Sequence, residues 1–92
     1  MPIIRIPAPL RAYTSGQNEV VVAGKIVSEA IEDLTLQFPS LQPHLFNPRG
    51  ELRPFVNLFL NEENIKDLQN LETPLEKDAR LLLIPSISGG RL

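Results

Sequence analysis

The chain contains no cysteine. That excludes a disulfide framework, a thiolate metal site, a nucleophilic thiol and a protein-bound persulfide. A single histidine, His44, excludes the histidine clusters of zinc enzymes. Neither sign of charge dominates, with nine Lys and Arg against eleven Asp and Glu. A generic cationic nucleic-acid binder is thereby excluded, because few phosphate counterions would be released on binding. No apolar run approaches the roughly 20 residues of a membrane span, and the N-terminus lacks a signal-peptide pattern. The expected compartment is the cytosol, with neither nucleic acid nor membrane as partner. At 92 residues there is room for one domain. Catalytic signatures are missing too: no Gly-x-Ser-x-Gly elbow, no phosphate loop and no His-Glu-x-x-His helix. The chain is therefore not expected to be an enzyme, and no catalytic residue, bound metal or bound cofactor is expected.

What is present reads as a small α+β domain. Ile4 and Ile6 alternate with Arg5 between Pro2 and Pro7, which suits a half-buried strand. A loop dense in turn formers follows at Thr14-Ser15-Gly16-Gln17-Asn18. The β-branched run Glu19-Val20-Val21-Val22-Ala23 is a second strand, and the short connection predicts an opening hairpin. After Gly24 the period changes. Val27, Ile31, Leu34 and Phe38 fall on one side, and Glu29, Glu32, Asp33 and Gln37 largely on the other. This is an amphipathic helix of about 12 residues, stopped by Pro39.

Pro39, Pro43, Pro48, Gly50 and Pro54 mark a long loop. Phe55 to Leu60 is a third strand, with Val56, Leu58 and Leu60 on one face and Phe55, Asn57 and Phe59 on the other. Asn61-Glu62-Glu63-Asn64 reads as a turn, Ile65-Lys66 as the start of an edge strand, and Leu68 to Asp78 as short turns. Arg80 to Ile84 is apolar enough for a central strand. The order β-β-α-β-(β)-β predicts a mixed sheet with one main helix across a face, the first and last strands parallel at its centre.

Several polar groups invite a chemical reading and fail it. Glu62, Glu63 and Asp67 lack the spacing of a calcium loop and read as a solvated turn. Arg49, Arg53 and Arg80 are scattered and read as surface, and His44 as a loop residue without a role. The terminus resists so bland an account. At an average glycine usage near 7%, a Gly-Gly pair at a given position has odds of about 0.5%. Here Gly89-Gly90 follows a short polar spacer directly after an apolar strand. Glycines offer no side chain to obstruct entry into a narrow channel and adopt extended or left-handed backbone cheaply.

These blocks resemble the ubiquitin-like sulfur carriers of the ThiS/MoaD family, and within it the CysO-type carriers of cysteine biosynthesis. The similarity runs through Ile6-Pro7-Ala8-Pro9-Leu10-Arg11 to Thr14-Ser15-Gly16-Gln17, then Arg53-Pro54-Phe55-Val56-Asn57-Leu58-Phe59-Leu60-Asn61-Glu62-Glu63-Asn64-Ile65. It ends in the most specific block, Leu82-Leu83-Ile84-Pro85-Ser86-Ile87-Ser88-Gly89-Gly90. The resemblance implies a β-grasp roll over residues 1–86 and a flexible tail over 87–92. It also implies that the Gly90 carboxylate is adenylated, at the expense of ATP, by a ubiquitin-activating-type adenylyltransferase. Sulfide then displaces AMP, and the thiocarboxylate serves a sulfur-accepting biosynthetic enzyme making cysteine, molybdopterin, thiazole or thiolated tRNA.

Arg91-Leu92 departs from a pattern in which carriers react through a terminal glycine. Either the dipeptide is removed between Gly90 and Arg91 by a protease, of the JAMM metalloprotease type that acts on some relatives, or it is a cloning remnant. Arg-Leu is not an obvious tag fragment, which favours a precursor. Alternation places Phe55, Phe59, Leu82 and Ile84 on the sheet face away from the helix, where ubiquitin-like proteins bind activating enzymes; cover by the 39–54 loop is the alternative. A protein modifier conjugated to lysines through Gly90 and a plain interaction domain are the competing functions.

Overall fold

The computed structural model describes residues 1–85. Strands β1 (Ile3–Arg5) and β2 (Glu19–Val21) pair antiparallel, as the opening hairpin requires. Their connection is more ordered than a loop: Ala8–Thr14 winds as a 3-10 helix that buries Leu10 and Thr14. The buried Thr14 hydroxyl donates to the Gln17 carbonyl at 2.8 Å, and Ser15 and Gly16 reverse the chain at φ 55° and 80°. Strand β2 is shorter than the apolar run predicts, although Val22 N still donates to Pro2 O at 2.9 Å.

Helix α1 (Val27–Gln37) buries Val27, Ala30, Ile31 and Leu34 against the sheet. Its polar side is not all solvated. Ile6 N bonds Asn18 O and Val22 N bonds Pro2 O, so the odd-numbered residues of β2 aim their backbone groups away from β1. Gln37 Nε2 donates to Val21 O at 3.0 Å, and Asp33 Oδ2 accepts from Ala23 N at 2.9 Å and from Gln37 Nε2 at 3.0 Å. The helix thus covers part of an exposed sheet edge. Glu29 Oε1 accepts from Lys25 N at 2.8 Å, tying down the helix entry.

Gly24 permits that close approach. A Cβ there would stand 2.7 Å from Ala30 N and 3.0 Å from the Glu29 carbonyl carbon, both backbone atoms. Gly24→Ala is therefore expected to cost about 1–3 kcal/mol in urea unfolding, the usual penalty of overpacking. An unchanged midpoint would show that the helix start yields freely.

The 39–54 segment contradicts the expectation of a plain loop. Pro39–Leu41 forms a 3-10 turn and Gln42–Leu45 a short helix, α2, which together bury Leu41 and Leu45 completely. A bridge between Phe46 and Leu52 closes the excursion. Strand β3 (Val56–Leu60) then turns directly into β4 (Glu63–Asn64). The edge strand therefore lies earlier than expected. Ile65–Asp67 is a 3-10 turn in which Asn64 Oδ1 accepts from Lys66 N at 2.9 Å and Ile65 is buried. Asn70–Glu72 forms a further 3-10 turn, and Thr73 O accepts from Val27 N at 3.0 Å.

Strand β5 (Arg80–Pro85) completes a five-stranded sheet of order β2-β1-β5-β3-β4, parallel to β1 and antiparallel to β3. The predicted parallel centre is confirmed. Ile4, Ile6, Val20, Val22, Val56, Leu58, Leu81 and Leu83 join the helix in one core. No helix among the described residues is long and apolar enough to cross a membrane.

Candidate functional site

With α1, Leu41 and Leu45 in a single core, the other sheet face is open. Its side chains follow from strand parity. Arg5 of β1 and Phe59 of β3 both stand in register with Leu82 of β5, and Ile84 stands opposite Asn57. Leu82 and Ile84 are 37% and 38% exposed, unusual for large aliphatics in mid-strand. Together with Ile3, Arg80, Asn61 and Glu62 they line a groove of about 610 Å³. Among the described residues none of 39–54 lines it, so cover by that loop does not occur.

Three of the four residues expected in the patch are brought together: Phe59, Leu82 and Ile84. Phe55 is not. The turn in which Val56 N donates to Arg53 O at 3.0 Å ends the strand at Val56, so alternation does not extend to Phe55, which packs against the core cluster. Sequence reasoning missed Ile3, Arg5 and Arg80. The signal was available, because burial of Ile4, Ile6, Leu81 and Leu83 leaves their neighbours on the opposite face. Gly89, Gly90 and Arg91 lie outside the described residues, as does the tail over 87–92.

The other polar groups stay unremarkable. Arg80 Nη1 lies 3.7 Å from Glu19 Oε2, while Arg53 Nε donates to Pro43 O at 3.0 Å, so these arginines serve separate local contacts. The His44 ring stacks on Tyr13 with centroids 4.2 Å apart. Among the described residues no group of three or more His, Asp or Glu could hold a metal ion.

A mixed five-stranded sheet gripping one long helix, with its other face open, is the β-grasp fold of ubiquitin-like carriers. Residues 4–90 match the ThiS family, and the chain belongs to it. It is similar to sulfur carrier protein CysO of Mycobacterium tuberculosis, 29% identical over 89 residues that cover 95% of this chain and 96% of the relative. Among solved structures, it superposes on the Amycolatopsis orientalis BexX/CysO complex with a TM-score of 0.87 at 27% identity, covering 98% of this chain and 100% of that one. Small archaeal modifier protein 1 from Methanosarcina acetivorans gives a TM-score of 0.84 at 28% identity, over 97% and 95% of the two chains.

Proposed function

We propose that this chain is a sulfur carrier that works through the carboxylate of Gly90. The observation that carries the reading is the extent of the family match, which runs to residue 90 and stops there. Arg91-Leu92 falls beyond it, in keeping with a precursor trimmed to the reactive glycine by a protease such as a JAMM-type metalloprotease. An adenylyltransferase then joins the Gly90 carboxylate to the α-phosphorus of ATP, and pyrophosphate leaves. Sulfide attacks the acyl carbon, AMP leaves with the bonding electrons, and a thiocarboxylate remains. Without cysteine the protein can hold sulfur nowhere else but this terminus. The groove floored by Phe59, Leu82 and Ile84 docks the activating enzyme. A relative of this fold crystallised as a complex with BexX supports the expectation of a protein partner. Similarity to CysO favours cysteine as the end product over molybdopterin, thiazole or thiolated tRNA.

The intact mass of the untagged protein from its native host, with C-terminal sequencing, tests this directly. The expected species ends at Gly90 with one oxygen replaced by sulfur. Cells starved for sulfur that hold only chains ending in Arg91-Leu92 would overturn both the trimming and the carrier role. A second reading, conjugation to lysines through Gly90, is favoured by the likeness to small archaeal modifier protein 1. It shares the adenylate and differs in the acceptor, so it would appear as higher-mass species carrying a Gly90 isopeptide bond.

A further inference from the structure

The two-residue turn from β3 to β4 holds Asn61 at φ 48° and Glu62 at φ 78°. Positive φ at both central positions is the type I′ geometry, whose second position favours glycine. Asparagine tolerates it, whereas a residue such as glutamate crowds its Cβ against the carbonyl oxygen. Ser15, Asn61 and Asn70 are the other non-glycine residues at positive φ among the described residues, and of these four Glu62 carries the longest side chain. No ion pair or side-chain hydrogen bond within the described residues offsets that crowding. Glu62 nevertheless lines the groove. Arg5 lines it as well and likewise has no ion pair or side-chain hydrogen bond among the described residues, whereas the Arg80 charge is engaged by Glu19.

We infer that Arg5 and Glu62 determine which partner the groove accepts: a protein surface with an apolar centre, a carboxylate opposite Arg5 and a basic side chain opposite Glu62. The inference rests on the reading of this groove as the docking site of the activating enzyme. The two charges stand on different sides of β5, Arg5 on β1 and Glu62 beyond the end of β3. On the free surface both are hydrated and cost little. Once a partner covers Phe59 and Leu82, each loses water and must meet an opposite charge or be buried unpaired. A wrong partner, or the right one docked half a turn around, sets like charges together and is rejected. The strained backbone at Glu62 places the anion at the rim of the apolar floor.

The test titrates immobilised chain with the host adenylyltransferase that releases pyrophosphate from ATP when given this chain. Glu62→Gly is expected to raise the thermal midpoint, because glycine suits the turn, while weakening binding about tenfold. Opposite signs on stability and binding are what a purely structural residue cannot produce. Arg5→Glu and Glu62→Lys should each weaken binding by about tenfold or more, mainly through slower association. The wild-type association rate should fall as ionic strength rises, and the Arg5→Gln, Glu62→Gln pair should flatten that dependence. If these variants bind like wild type while Phe59→Asp does not bind, the docking site stands and the charge selection is wrong. If Phe59→Asp binds like wild type, the docking site is wrong and the inference falls with it.

Discussion

Replacing Phe59 by Asp is expected to abolish binding of the proposed activating enzyme while the fold stays intact. Phe59 sits in the middle of the open face, in register with Leu82, and lines the groove without belonging to the core cluster. Removing a central aromatic anchor from an interface costs about 2–4 kcal/mol, and the carboxylate adds the desolvation of a charge where partner and groove would be dry. The effect on folding should stay near 1 kcal/mol, because the side chain is only half-buried. Calorimetric titration with the enzyme, paired with a thermal melt, separates the two. Native-like binding by a folded variant would remove the open face from the mechanism.

Adjacent leucines on β5 should behave oppositely. Leu83 is fully buried in the core, whereas Leu82 is 37% exposed on the other face. Leu83→Ala is expected to cost about 2–5 kcal/mol, from lost transfer energy and the cavity left behind. Against a total of about 5–15 kcal/mol for a domain, that is enough to threaten folding. Leu82→Ala should cost less than about 1 kcal/mol and weaken partner binding instead. Urea titrations of both variants provide the check. Equal losses would mean that the two faces of the sheet are not distinguished as the burial pattern indicates.

Those parities were legible from sequence because alternation over Arg80 to Ile84 is a local property of an extended chain. The same holds for the helix, whose 3.6-residue stripe at Val27, Ile31 and Leu34 needs no knowledge of its neighbours. Errors arose where tertiary contacts overrode local signals. Prolines at 39, 43 and 48 read as loop, yet Leu41 and Leu45 find room under the helix and draw the segment into short helical turns. Phe55 looked like a strand residue because nothing in its side chain announces the turn that Val56 N closes onto Arg53 O. Asp33 and Gln37 looked solvated, since no sequence pattern says that the unpaired edge of β2 lies within their reach. Arg5 and Glu62 come from distant stretches of chain, and only the order β2-β1-β5-β3-β4 brings them to one groove.

The central place of β5 has a mechanical consequence. Whatever pulls on the chain beyond Pro85 pulls along a strand laddered to β1 on one side and β3 on the other. Force along that axis loads the hydrogen bonds of both ladders together in shear, since they run across the strand rather than along it. An edge strand would instead peel away bond by bond. On the proposed carrier reading, a terminus drawn into one enzyme after another would be anchored on the strand that both ladders hold.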